Sequence, residues 1–236
     1  MQRILIIIPT LNEEGNIPEL AGDLRHQSPV WNILFADGQS TDDTVGIIKR
    51  LQKNDPHIHL LRQPRGTGYA EAFREGFRFA QQHHFEQVVT MDGDLSHSPA
   101  AVSSLLHALQ TADLVIGSRY LEMRAAVSEW PFQRLILSRV ASLCARLSLS
   151  LRLTDPFSGF KAIRGSILKK IHLERSRTHG FAFNAEISWR VHRAGGKIRE
   201  VPIHFRNRQD GKSKMSPRKI LEAASLPFRL RLERNR

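Results

Sequence analysis

The chain has 236 residues, 41% of them hydrophobic, enough for a real core, and its single cysteine, Cys144, excludes an intrachain disulfide and points to a reducing compartment. The net charge of +12 is unevenly placed: residues 1–118 carry 9 Lys+Arg against 14 Asp+Glu, and residues 119–236 carry 26 against 9. An acidic half suited to a cation is thus joined to a basic half suited to nucleic acid, anionic lipid or a phosphorylated substrate, and charge alone does not choose among these.

The first element, Ile4–Ile8, reads as a buried strand and is too short for the apolar stretch of a signal peptide. No run anywhere approaches the roughly 20 apolar residues of a bilayer span. The strand leads into Pro9-Thr10-Leu11-Asn12-Glu13-Glu14, which is not Gly-x-Gly-x-x-Gly and gives no support for a dinucleotide site. Asn12 reads as the cap of a helix whose Ile17, Leu20, Ala21 and Leu24 share one face. A second strand, Ile33–Ala36, ends at Asp37, and the segment Asp37–Thr44 has two readings. Asp37 can accept hydrogen bonds from a base or ribose, or the segment is a plain turn in which Thr41 or Asp42 caps a helix running to about Lys53. After a third strand, His59–Leu61, the glycine-rich Arg65-Gly66-Thr67-Gly68-Tyr69-Ala70 lacks the lysine and spacing of a P-loop. It is either a backbone cradle for a ligand or a simple loop into the helix that carries Phe73, Phe77 and Ala80.

The fourth strand, Val88–Met91, delivers Asp92-Gly93-Asp94 to the edge of a sheet. Two carboxylates so close are costly unless a cation sits between them, and a hard divalent metal is the natural one. A surface turn is the other reading, since Asp-Gly is common in turns. His97, close behind, reads as support for that site, and His83-His84 as a solvated helix end. Pro99 suits the first turn of a helix bearing Val102, Leu105, Leu106 and Leu109. A fifth strand, Leu114–Ile116, precedes Gly117-Ser118-Arg119-Tyr120.

Beyond it, residues 132–151 form an amphipathic helix with Ile136, Val140, Leu143 and Leu147 on one face and Arg134, Arg139 and Arg146 elsewhere. A strand near Lys161–Arg164, a helix near Ala182–Arg193 and a strand at Ile198–Phe205 follow, and Ser216-Pro217 opens a last helix. The basic cluster Arg206, Arg208, Lys212, Lys214 includes Gly211–Lys214, a flexible cationic loop of the kind that closes over an anionic ligand. Strands alternating with helices predict an α/β fold with a mostly parallel sheet and a ligand site at the strands' C-terminal ends. No Cys/His zinc spacing and no Gly-x-Ser-x-Gly elbow occurs.

Six segments in order, Ile8–Glu13, Asp37–Thr44, Met91–His97, Gly117–Tyr120, Asp155–Phe160 and Arg208–Lys214, resemble the family 2 glycosyltransferases of the GT-A fold. Within them the chain is most similar to the dolichol-phosphate (polyprenyl-phosphate) mannose synthases. The resemblance implies one GT-A domain over 1–215, with a nucleotide-sugar-binding half (1–118) and an acceptor-binding half (119–215), then a basic amphipathic helix over 216–236. It implies that Pro9, Glu13 and Asp37 line the nucleoside pocket and that Asp92, Gly93 and Asp94 bind the donor. Asp92 and Asp94 would hold Mg²⁺ or Mn²⁺ on the diphosphate, and Ser96 stands where some relatives carry a metal-contacting glutamine. Asp94, Arg119 and Arg208 would be catalytic, and Arg119, Arg134, Arg208 and Lys214 would hold the phosphates of donor and acceptor. Glu186 falls where the family has an acidic residue.

The activity implied is inverting transfer of a hexose, mannose from GDP-mannose first among candidates, to a polyprenyl phosphate. Expected partners are that nucleotide sugar or a UDP-sugar, the lipid phosphate, the cytoplasmic face of a membrane met peripherally, and a small membrane-anchoring subunit, with no nucleic acid. The alternatives are a UDP-sugar donor or a non-lipid acceptor within the family, and a nucleic-acid-binding protein or an idle scaffold outside it. The chain departs from the family at Leu11 (usually tyrosine), at Gly38 (where a second aspartate is common), at Gln39 (usually glycine) and at Ser96. The apolar and basic residues of 216–236 suit either an interfacial anchor on anionic lipid or a helix packed on the core.

Overall fold

Successive side chains of a strand point to opposite faces, so the unbroken apolar run Ile4–Ile8 is buried only if both faces are covered. The computed structural model, which describes residues 3–64, 67–121, 142–143, 149, 151–176 and 178–205, shows how this is met. Strand β1 (Ile4–Thr10) lies within a seven-stranded sheet with β2 (Asn32–Asp37), β3 (Ile58–Arg62), β4 (Gln87–Thr90), β5 (Leu114–Ser118), β6 (Lys161–Arg164) and β7 (Ile198–Pro202). The order is β3-β2-β1-β4-β6-β5-β7. Every pairing is parallel except those of β6, which runs against both β4 and β5.

Leu5 and Ile7 enter one apolar cluster with Leu34, Val88, Leu114 and Ile116, while Ile6 and Ile8 enter a second with Ile33, Phe35, Val89 and Val115. The first cluster is closed by α3 (Tyr69–Gln82), the short α5 (Gly165–Leu168) and α6 (Ala182–Arg193). The second is closed by α1 (Ile17–Gln27), α2 (Thr44–Asn54) and α4 (Ala101–Leu109). The result is a three-layer α/β sandwich, as the alternation of elements predicts. Among the described residues no helix is long and apolar enough to cross a membrane.

Local capping differs from the sequence expectation. The cap of α1 is Asn16, not Asn12, and that of α2 is Asp43, not Thr41 or Asp42. Asn12 is unavailable because it takes a left-handed φ of 56° and its Oδ1 accepts the Thr41 N–H at 2.8 Å. Asp42 still accepts the Thr44 N–H at 3.1 Å from just outside the helix. Pro99 lies two residues ahead of α4 rather than inside its first turn. The last strand stops at Pro202, after which Phe205 pairs with His97 in an antiparallel bridge. The helix expected over 132–151 falls largely outside the described residues, and the one expected from Ser216 falls wholly outside them.

Two helical glycines separate packing from propensity. A Cβ on Gly76 of α3 would lie 2.6 Å from Ile7 Cγ2, whereas one on Gly22 of α1 would meet nothing within 4 Å. Alanine gains about 1 kcal/mol of helix propensity at either place, and overpacking a core costs about 1–3 kcal/mol. Urea denaturation is expected to show Gly22→Ala stabilised and Gly76→Ala destabilised, the latter by up to about 2 kcal/mol net. Equal midpoints for the two variants would refute the packing of α3 on β1.

Candidate active site

Parallel strands deliver their C-terminal ends to one edge, here Pro9-Thr10 of β1, Asp37 of β2, the Asp92–Asp94 turn after β4 and Ser118 of β5. Because β6 runs the other way, its first residue, Lys161, pairs with Thr90 and Ile116, and the preceding Asp155–Phe160 segment reaches the same edge. Thr90 Oγ1 donates to the Gly159 carbonyl and Ser158 Oγ to the Gly117 carbonyl, each at 2.7 Å.

Asp37 is fully buried, and a buried carboxylate needs partners. It accepts the N–H groups of Gln39 at 3.0 Å and Ser40 at 3.2 Å and the Ser40 hydroxyl, and Arg62 Nε lies 3.5 Å away. The loops after β1 and β2 are laced together: Asn12 N–H donates to Ser40 Oγ and Glu13 N–H to Thr44 Oγ1, each at 2.9 Å. Glu13 is half-buried, and its Oε2 accepts from Asn16 Nδ2 at 2.7 Å. A Cβ on Gly93 would stand 3.2 Å from the Pro9 carbonyl, so the Asp-Gly-Asp turn packs directly on the end of β1. The sequence-predicted donor residues Pro9, Glu13, Asp37, Asp92, Gly93 and Asp94 therefore share one sheet edge.

Asp92 is half-buried and Asp94 is 5% exposed. The Tyr69 hydroxyl donates to Asp92 Oδ1 at 3.0 Å, and Asp94 Oδ1 accepts the Ser96 N–H at 3.1 Å. Burial, reinforced by the Asp92 charge, holds the Tyr69 phenol protonated well above its ordinary range. His97 accepts the Asp92 N–H through Nδ1 at 3.4 Å and stacks on Phe160 with ring centres 4.9 Å apart. Burial lowers its pKa despite the opposing pull of Asp92 and Asp94, which favours the neutral ring.

The Ser96 hydroxyl is buried with no hydrogen-bond partner among the described residues, and so is that of Thr10. Such orphans are uncommon and call for a partner. Two carboxylates beside an unpaired hydroxyl form an all-oxygen donor set, which fits a hard divalent cation. Among the described residues no three His, Cys, Asp or Glu side chains converge to hold an ion unaided.

Arg119 does not stand alone at the site. Its guanidinium forks onto Asp155, Nε to Oδ2 at 2.7 Å and Nη2 to Oδ1 at 2.8 Å, and its backbone N–H donates to the same carboxylate. Burial works against the Arg119 charge, but Asp155 outweighs it and the guanidinium stays firmly protonated. Glu200 of β7 accepts the N–H groups of Thr154 at 2.7 Å and Asp155 at 2.9 Å, fixing the segment from behind. Lys161 is fully buried and donates to the carbonyls of Pro156 and Ser158. Glu186 is buried in an ion pair with Arg190 at 2.6 Å and a hydrogen bond from Ser176, a structural role in this structure. Arg134, Arg206, Arg208, Lys212 and Lys214 lie outside the described residues.

Sequence reasoning missed Tyr69, Asn184 and Lys161. Asp155 and Lys161 sit in or beside a recognised segment, and a lone lysine opening an apolar strand was the available signal. Nothing in the sequence connects Tyr69 to Asn184, which are 115 residues apart and meet only in the fold.

The model of the family described as glycosyl transferase family 2 matches residues 5–172. A polyprenol monophosphomannose synthase of Mycolicibacterium smegmatis is 37% identical over 241 residues, covering 100% of this chain and 91% of that protein. An undecaprenyl-phosphate mannosyltransferase of Micrococcus luteus is 38% identical, covering 91% and 88%. Among solved structures, a glucosyl-3-phosphoglycerate synthase of Mycobacterium tuberculosis with Mn²⁺, UDP-glucose and phosphoglyceric acid superposes with a TM-score of 0.69. Its sequence identity is 19%, covering 96% of this chain and 79% of that one, which establishes a shared GT-A fold.

The buried lysine makes stability depend on pH. Burial pulls the Lys161 ammonium from 10.5 down to about 7, against the carboxylates of Asp155 and Glu200 and with the help of Arg119. Between those values the unfolded chain binds the extra proton, so stability rises with pH over about 7 to 10.5. The slope from this group is at most about 1.4 kcal/mol per pH unit. Urea midpoints across that range should rise more steeply for the unaltered protein than for Lys161→Met. Parallel profiles would show that Lys161 keeps its proton in the folded state.

Proposed function

The chain belongs to glycosyl transferase family 2 and is a glycosyltransferase, and from that premise we propose that it transfers a hexose, mannose from GDP-mannose, to a polyprenyl phosphate with inversion. The observation that supports the reading is that Asp92 and Asp94, with a Ser96 hydroxyl that has no partner among the described residues, lie at the strand end that Gly159 of the Asp155–Phe160 segment approaches. The names of the two mannosyltransferase relatives supply the sugar and the acceptor class.

In this reading Pro9, Glu13 and Asp37 form the nucleoside end of the donor site, with Asp37 also holding its own loop in shape. Asp92, Asp94 and Ser96 would hold Mg²⁺ or Mn²⁺, which supplies a Lewis acid for the charge on the leaving nucleoside diphosphate. An oxygen of the lipid phosphate attacks the sugar's C1 as the bond to the nucleoside diphosphate breaks on the opposite face. That phosphate is already anionic at neutral pH, so no strong general base is required and positioning carries most of the rate. Asp155 offsets the Arg119 charge locally. Arg119 is thus a fixed positioning group, and the positive field for the acceptor phosphate falls to Arg134, Arg208 and Lys214.

Thermal-shift measurements with GDP-mannose, UDP-glucose and UDP-GlcNAc, each with Mn²⁺, are expected to single out GDP-mannose, since a cognate ligand raises stability by mass action. A response to a UDP-sugar alone would replace the donor in this reading. With polyprenyl phosphate present, mannose should pass to the lipid, and Asp94→Ala should cut turnover by about a hundredfold or more. Undiminished turnover in that variant would refute the metal role.

The acceptor places the reaction at a membrane surface, and we assign residues 216–236 as its basic amphipathic anchor. Flotation with vesicles containing anionic lipid is expected to carry the full chain and to lose the chain ending at 215. Equal flotation of both would reject the anchor.

A further inference from the structure

We propose that Tyr69 and Asn184 are positioning residues for Asp92, a buried pair that fixes its carboxylate for the divalent cation; the inference rests on the cation reading of Asp92 and Asp94. The Tyr69 hydroxyl donates to Asp92 Oδ1 at 3.0 Å and accepts from Asn184 Nδ2 at 3.3 Å. Asn184 is 1% exposed, and its Nδ2 also reaches the Phe157 carbonyl at 3.4 Å. It keeps this orientation although its Oδ1 has no hydrogen-bond partner among the described residues. With the amide nitrogen facing the phenol oxygen, the phenol's one proton is directed at Asp92.

The ring is held as firmly as the hydroxyl. Phe73 meets it edge-on with centroids 4.9 Å apart, and Phe181 lies against it at 4.6 Å. A Cβ on Gly159 would fall 2.7 Å from the Tyr69 oxygen and 3.3 Å from Asp92 Oδ1. Carboxylate, phenol and glycine thus fill one close-packed corner, and the glycine leaves the room in which the hydrogen bond forms. A carboxylate already oriented loses less freedom on binding a cation, and partners of this kind set metal affinity from one bond away.

The test uses the full chain and Mn²⁺ titrated by electron paramagnetic resonance with saturating GDP or UDP, whichever raises the melting temperature. Tyr69→Phe keeps the ring and removes the hydroxyl, and is expected to weaken Mn²⁺ binding about 10- to 100-fold. Nucleotide affinity without metal should be unchanged. Asn184→Ala should weaken Mn²⁺ binding in the same sense, and the double variant should fall short of the product of the two effects, since the residues act through one bond. Gly159→Ala should also weaken binding, and by a smaller factor in the Tyr69→Phe background, where the oxygen it collides with is gone. Asp92→Asn separates the two levels of the argument. If it leaves Mn²⁺ affinity unchanged, the cation reading itself fails. If it abolishes binding while Tyr69→Phe and Asn184→Ala bind Mn²⁺ as the unaltered protein does, the positioning role is overturned.

Discussion

The direction of a single strand organises the site. Were β6 parallel to its neighbours, its N-terminal end would lie at the opposite edge of the sheet from Asp92. Running against β4 and β5, it brings Asp155–Phe160 back to the edge where every parallel strand ends. Three consequences follow from that one pairing. Gly159 arrives against Asp92 and Tyr69, Asp155 arrives against Arg119, and Lys161 is carried into the interior between strands. The edge that carries Asp92 and the charged cluster are thus parts of one sheet, joined through backbone pairing.

The charges so assembled are costly, and their pairing shows how the cost is contained. A buried ion that loses its partner destabilises by about 3–5 kcal/mol, whereas a matched pair is near neutral. Arg119 and Asp155 match in two parallel hydrogen bonds. Among the described residues Lys161 has no comparable carboxylate contact; its ammonium meets carbonyls of the segment it follows, and burial moves its pKa down instead. The cluster therefore holds one permanent pair and one group whose charge is negotiable near neutral pH. The permanent pair fixes the segment beside Asp92, which is the role a scaffold for a positioned carboxylate demands.

Much of this was legible in the sequence, and the division has a physical cause. Strands β1, β2, β4 and β5 were readable because each carries an apolar run buried along most of its length, and the carboxylates because a strand end makes Asp92-Gly93-Asp94 conspicuous. Capping was misread at Asn12 because its side chain is claimed by Thr41, 29 residues away, and no local pattern records that competition. The antiparallel sense of β6 was not readable either, since Lys161–Arg164 has the same composition in either direction. Tyr69 and Asn184 belong to helices that the sequence indicated, but which two polar atoms meet across them is a product of tertiary packing alone.

Three non-glycine residues with left-handed backbone lie in the loops after β1, β2 and β4: Asn12 at φ 56°, Gln39 at 70° and Leu95 at 58°. Each such residue costs of order 1–3 kcal/mol and persists only where its surroundings fix it. Gln39 stands where the family resemblance expects glycine, and its φ gives the reason, since glycine adopts that conformation without strain. Here the glutamine is retained by other means: its N–H donates to Asp37, and its side chain donates to the Gln63 carbonyl and accepts from Arg62 at 3.1 Å. Ser40, in the same turn, holds Asp37 with its hydroxyl and N–H and accepts the Asn12 N–H. A change at Asn12 is therefore felt at Ser40 and through it at Asp37, although Asn12 and Asp37 make no direct side-chain bond. Hydrogen bonds between these loops hold the Asn12 and Gln39 conformations in place, since each of these strained residues sits among partners supplied by a neighbouring loop.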